Sequence, residues 1–272
     1  MRHRTPFIVL LLGFLSSAHA EQRERAPCLH KYHNALVCYH AKDYNKAHRL
    51  FEEAIPLLSG KKESIAATFY QACSNFYRRS LVKLKKHYEN SAREFKYFYQ
   101  TYPNAPQAPE ALYMQGYALY LASPDVERDQ ATTQEAIQTF QTYLDRYPAG
   151  PYRDKALQYR AELYDKLAYK AFNNAKLYHK LSHYQAAVTA LTVFQQDFPG
   201  TPLGEAAAYL KTDAQYKLAK KSAQEEQQDR LKTTLTYCRS FLDRYPASRH
   251  VQAVEKIYAK ALSQSNKPDT SP

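Results

Sequence analysis

Residues 175–199 read Ala-Lys-Leu-Tyr-His-Lys-Leu-Ser-His-Tyr-Gln-Ala-Ala-Val-Thr-Ala-Leu-Thr-Val-Phe-Gln-Gln-Asp-Phe-Pro. The stretch ends on an aromatic, three residues, a second aromatic and a proline: Phe194, Phe198, Pro199. The same ending closes three other segments, at Phe98-Tyr102-Pro103, Tyr143-Tyr147-Pro148 and Phe241-Tyr245-Pro246. Each lies at the end of an apolar segment with the period of a helix, and proline stops a helix because it has no N–H and bars its predecessor from helical angles. The chain therefore consists of helices ended at repeating points.

Backwards from Pro199, the positions Ala175, Tyr178, Tyr184, Ala187, Leu191 and Phe194 fall at the offsets of a tetratricopeptide repeat: small residues where two antiparallel helices approach, bulky ones in the seam to the next pair. Residues Ala35, Cys38, Tyr44, Ala47, Phe51 and Ala54 repeat that pattern, closing on Pro56 and Gly60. Pro103, Pro148, Pro199 and Pro246 are spaced 45, 51 and 47 residues apart, longer than the ~34 of a plain repeat. The extra residues, Arg78–Lys86, Ser123–Thr133 and Lys220–Arg230, lengthen helices or loops between the two arms: the Ser123-Pro124-Asp125 to Asp129-Gln130 segment reads as a loop, and long solvated helices are expected at the charged, Gln-rich Lys220–Arg230. Residues 251–262 are expected to form a terminal helix covering the last repeat, and 263–272 a frayed, disordered tail. The predicted fold is all-α: a solenoid of about five tetratricopeptide-like hairpins with a C-terminal capping helix, its N-terminal half over 29–150 and its C-terminal half over 151–262.

Composition agrees. The 272 residues include only 6 glycines, too few for the phosphate-cradling loops of nucleotide-binding folds or the hairpins of most all-β domains. The net charge of +12 favours acidic or anionic neighbours without choosing among them. Residues 1–20 carry Arg2 and Arg4, an apolar run over 7–15 and an Ala18-His19-Ala20 end, the tripartite form of a cleaved secretory signal. The run is too short to span a bilayer, and export places the four cysteines, Cys28, Cys38, Cys73 and Cys238, in an oxidising compartment. Four cysteines allow three pairings; in a chain this large they read more simply as small apolar helix residues. Arg25-Ala26-Pro27 ahead of Cys28 lacks the pattern of a lipid-attachment box, so lipidation there is not expected.

The leader, the helical repeats, the Pro103-Asn104-Ala105-Pro106, Ser123-Pro124 and Asp129-Gln130 phrases, and the Tyr-Pro endings in this order resemble the BamD (YfiO-type) family of outer-membrane assembly lipoproteins, from about His30 to Ala261. The resemblance implies a scaffold on the periplasmic side of the outer membrane, within the β-barrel assembly complex. Its implied partners are the barrel-inserting subunit, held through its POTRA domains by the C-terminal repeats, and unfolded outer-membrane β-barrel proteins, received by the N-terminal repeats. Association with the membrane would then be peripheral, through the partner. The alternative is another periplasmic repeat adaptor, coordinating cell-wall or envelope processes.

The first helix of each pair lines the concave face of such a solenoid. Here those helices offer Tyr32, Asn34 and Tyr39, then Tyr70, Asn75 and Tyr77, then Tyr113, Gln115 and Tyr117. Rings with hydroxyl and amide handles suit an extended peptide ending in an aromatic residue and a carboxylate, with Lys31, Arg78 or Arg79 as the carboxylate's holder. The competing reading is that these tyrosines pack between helices. Lys83, Lys85 and Lys86 in the basic stretch read either as contacts to anionic head groups or an acidic partner, or more simply as a solvated face.

No catalytic constellation emerges. His179 and His183 have the i, i+4 spacing of a helical metal pair, but no third ligand accompanies them, and His30 and His33 are isolated. Glu52-Glu53 and Glu225-Glu226 are adjacent on helices and diverge. There is no serine nucleophile elbow and no nucleic-acid reader motif, so neither enzyme activity, a metal, a cofactor nor nucleic-acid binding is expected.

Overall fold

The structure, a computed structural model, describes residues 29–80 and 85–266; the expectations on the leader, Cys28, Lys83 and the end of the tail lie outside these, as does the Arg79 side chain. Among the described residues every regular element is a helix and none is a strand. In chain order they are α1 (29–40), α2 (Tyr44–Leu57), α3 (Lys62–Ser80), α4 (Lys85–Thr101), α5 (Ala108–Ala122), α6 (Ala131–Arg146), α7 (Arg153–Lys180), α8 (Tyr184–Asp197), α9 (Gly204–Lys221), α10 (Gln224–Arg244) and α11 (Val251–Ser265). Consecutive helices pack on one another from α2 to α6 and again from α8 to α11, the arrangement expected of tetratricopeptide-like hairpins.

The aromatic-proline phrase explains how each hairpin ends. Tyr147, Phe198 and Tyr245 leave the helical region with nearly the same angles, φ near −130° and ψ near 60°, because each precedes a proline. Their backbone N–H groups still reach the carbonyl four residues back, as does that of Tyr102, at 2.8–3.0 Å. That hydrogen bond folds the second ring onto the first, with centroids 5.3–5.6 Å apart in all four copies. The first ring of each pair, Phe98, Tyr143, Phe194 or Phe241, is at most 2% exposed. One local phrase thus stops the helix and seeds its core.

The two segments that follow the repeat pattern most closely share a turn. Between α1 and α2, and between α7 and α8, Lys42 and Ser182 sit at φ 61° and 62°. The next N–H in each, of Asp43 or His183, bonds back to Cys38 or Tyr178 at 2.9–3.0 Å. The inserted residues lengthen both helices and loops. Those around Lys220–Arg230 extend helices, α9 and α10, interrupted only at Ser222-Ala223. Residues 123–130 form a loop: Pro124 keeps α5 from running on through Ser123, and the side chains tie the loop to itself, Ser123 to Thr133 at 2.6 Å, Thr133 to Gln130 at 2.7 Å, and Gln130 to the Asp125 carbonyl at 2.8 Å. The long Pro148–Pro199 interval is absorbed by α7, 28 residues long.

The chain divides into two compact units, the first comprising residues up to Asp125 with Asp129–Leu163, the second Val126–Arg128 with everything from Tyr164. The division falls inside α7 and not at the expected 150/151, since Tyr152, Ala156, Tyr159 and Leu163 belong to the core of the first unit. In the second unit α11 covers α9 and α10 with Val254, Ile257 and Ala261 against Leu231, Cys238 and Phe241. It runs to Ser265, three residues past the expected end, into what was read as tail. Cys38, Cys73 and Cys238 are free thiols, and Cys73 and Cys238 are buried helix residues.

Close approach depends on small residues, and Gly116 of α5 marks one such place between helices: a Cβ there would lie 2.8 Å from the buried Phe140 ring of α6. Gly116→Val is expected to destabilise the chain by about 1–3 kcal/mol, partly restored by Phe140→Leu, as read from thermal unfolding by circular dichroism. Burial pushes the Cys238 thiol up to about 12 and the Cys73 thiol also upward. At neutral pH a maleimide is therefore expected to label Cys38 in the folded chain but Cys73 and Cys238 only after denaturation, as mapped by mass spectrometry.

Candidate peptide-binding face

The sequence-expected tyrosines of the first unit do gather. Tyr39 of α1 lies 5.1 Å from Tyr70 and 6.4 Å from Tyr77, both on α3, and Tyr44 stacks on Tyr77 at 4.9 Å. On α5, Tyr113 stacks on Tyr152 at 4.3 Å and Tyr117 on Tyr159 at 5.3 Å. They share a face because Tyr70 and Tyr77 are seven residues apart, and Tyr113 and Tyr117 four, both steps returning to one side of a helix. Tyr39, Tyr70, Tyr77, Tyr117, Tyr152 and Tyr159 are half-buried, so they serve both readings at once: each packs against the core while keeping part of its surface open. Tyr113 is only 5% exposed and acts as a core residue beneath them.

The amides point elsewhere. Asn75 and Gln115, 3% and 6% exposed, lie in the seams within their own hairpins: Asn75 donates to Glu94 of α4, and Gln115 to Thr139 of α6 at 3.4 Å. Each is a buried polar group satisfied across a seam. Asn34 is exposed, on α1. The expected carboxylate holders are also engaged: Lys31 pairs with Glu53 of α2 at 2.9 Å, and Arg78 donates to Asn75 at 3.0 Å. Lys85, from the basic stretch, lies 3.5 Å from Asp125 in an exposed pair.

Glu110, which sequence reasoning did not single out, adds a carboxylate beside the α5 tyrosines. It lies in the first turn of α5, where the helix dipole favours negative charge, and accepts a hydrogen bond from the Tyr152 hydroxyl. The available signal was its register: Glu110, Tyr113 and Tyr117 stand at i, i+3 and i+7. Tyr32 lies apart from the array, at one end of α1. There it lines a cavity of about 610 Å³, closed by Ile65 and Ala66 at the start of α3 and by the turn Tyr102-Pro103-Asn104-Ala105-Pro106. The aromatic-proline ending that stops α4 is thus also a wall of this cavity.

In the second unit His179 turns to Asp213 of α9, Nε2 to Oδ2 at 2.6 Å, and Asp213 also takes Lys217 at 2.7 Å, while His183 precedes α8 as its cap residue. The two histidines thus serve a helix contact and a helix start. Among the described residues no three metal-ligating side chains converge.

Burial raises the phenols of Tyr39, Tyr70, Tyr113, Tyr117 and Tyr152 above the ordinary value, and that of Tyr77 to about 12. Tyr120 also rises to about 12, chiefly through its 2.6 Å hydrogen bond to Glu162.

Paired antiparallel helices, alanine-lined approaches and a tyrosine face on the first helices define a tetratricopeptide-like helical repeat protein. The family model described as YfiO, outer membrane lipoprotein, matches residues 26–231, and the chain belongs to this family. Comparison with curated proteins gave no match. Among the described residues no helix is long and apolar enough to cross a membrane.

Because these phenols are raised in the folded chain, their contribution to stability is complete below the ordinary value near 10 and is lost as pH rises through about 12. Unfolding in base is therefore expected across that window, with tyrosinate absorbance and loss of far-ultraviolet circular dichroism rising together in one step.

Proposed function

We propose that the protein is a periplasmic scaffold of outer-membrane β-barrel assembly, which holds the POTRA-bearing barrel subunit and receives unfolded β-barrel precursors. Membership of the YfiO family over residues 26–231 carries this reading. The tyrosine face of the first unit supports precursor binding, because half-buried rings give apolar contact and hydrogen bonds to an extended chain at small entropic cost. The second unit supports protein docking differently. Tyr169 and Leu177 of α7, with Leu181 in the turn just after it, are 50–55% exposed, apolar surface that a partner would cover. Neither unit presents a catalytic arrangement in this reading; the work is binding.

Affinity purification from detergent-solubilised outer membranes tests the proposal. Recovery of a POTRA-bearing barrel protein is expected, as is a fall in porin levels when the chain is depleted. Recovery of wall-synthesis proteins with porins unchanged would instead establish the adaptor alternative.

A further inference from the structure

Three cavities of this chain share one arrangement: each lies between the second helices of successive hairpins, over the first helix that separates them. Two are in the first unit and carry their own carboxylates. Glu94 lines the one between α2 and α4, where it accepts from Asn75. Glu135 lines the one between α4 and α6, and pairs with Lys96 at 3.1 Å. The third, in the second unit, is a cavity of about 140 Å³ between α8 and α10 over α9. Two cations, Lys211 and Arg244, line it together with Gln195, Tyr237, Ser240 and Tyr245, and its described lining includes no aspartate or glutamate.

Lys211 is half-buried on α9, donates to Gln195 Oε1 at 2.8 Å, and holds its Nζ 4.4 Å from the centre of the Tyr237 ring. An ammonium has three N–H donors, and one amide oxygen and a ring face replace its lost water incompletely. Burial accordingly lowers the Lys211 ammonium below its ordinary value. Arg244 is exposed at the rim and adds a planar fork that matches a carboxylate. The neighbouring acids lie outside the lining: Asp197 and Asp243 are exposed, and Asp213 is taken by His179 and Lys217. The carbonyl ends of α8 and α10 bring about half a negative charge each, so two full cations leave the cavity net positive. We propose that this cavity receives an aspartate or glutamate side chain of a docked protein, its carboxylate meeting Lys211 inside and Arg244 at the rim. The partner thereby completes a pair of the kind that Lys96 and Glu135 complete within the chain. A carboxylate carried in by a docked chain loses little further freedom on entering, whereas a free ion loses more. The inference rests on the reading of the second unit as a protein-docking part, and names the chemistry that docking uses.

The test uses the full chain with carbon-13-labelled lysine side chains, the Lys211 signal being assigned by its loss in Lys211→Arg. Sodium acetate is titrated against sodium chloride at equal ionic strength and followed by nuclear magnetic resonance. Acetate is expected to shift the Lys211 signal saturably and to raise its pKa by about one unit, while the exposed Lys260 responds alike to both salts. Affinity for the purified POTRA-bearing barrel subunit is then measured. Lys211→Met is expected to weaken it about tenfold, and Lys211→Arg, which keeps the charge, by no more than about twofold. Because Lys211→Met removes a charge from a partly dry site, its thermal unfolding should not fall, which separates lost recognition from lost folding. Identical responses of Lys211 to acetate and chloride, or full affinity in Lys211→Met, would overturn the inference while leaving the scaffold reading standing. A saturable response to sodium phosphate but not to acetate would overturn it in favour of a phosphate-bearing ligand. A Lys211 response to acetate with no binding of the barrel subunit would support the carboxylate site and overturn the scaffold reading.

Discussion

Proline disfavours helical angles in the residue before it, and much here follows from the four helix ends where that constraint is applied. At Tyr102, Tyr147, Phe198 and Tyr245 it halts a helix and lays one aromatic ring over another buried ring a turn earlier. The following helix must then start at an angle set by the turn. Alanines such as Ala47, Ala108, Ala136 and Ala187, all fully buried, let the helices approach closely enough to bury the rings. The stop and the small residue act together: the first separates one helix pair from the next, and the second lets the paired helices close.

The same constraint assembles the tyrosine face. Hairpins repeated along the chain present their first helices side by side in the first unit, so tyrosines separated by dozens of residues come within ring contact. Tyr113 lies within the core, while Tyr39, Tyr70, Tyr117, Tyr152 and Tyr159 pack their rings and keep part of themselves exposed. In the proposed role, a packed aromatic surface would lose little freedom when an extended chain settled on it. The proline turn 103–106 contributes twice as well, ending α4 and walling the cavity beside Tyr32.

Parts of this arrangement were open to inspection in the residues alone. The helix endings, the two regular hairpins beginning at Ala35 and Ala175, and the capping role of residues 251–262 are governed by contacts within a few turns. The loop at 123–130 is legible from Pro124, but what holds its shape is not: Ser123, Gln130 and Thr133 bond across a gap, which a search for periodicity does not see. Asn75 and Gln115 were placed on the open face because they neighbour its tyrosines in sequence. One residue along a helix turns a side chain by about 100°, enough to send both into a hairpin seam.

The amino-acid order determined the class of fold, the points where helices end and the richness of one helix set in tyrosine, since these depend on steric limits and periodicities that act over short distances. The tertiary structure decided which tyrosines stay partly open and which cations are already engaged. Those outcomes are set by which helices become neighbours: Tyr39 meets Tyr70 and Tyr113 meets Tyr152 across more than thirty residues of chain.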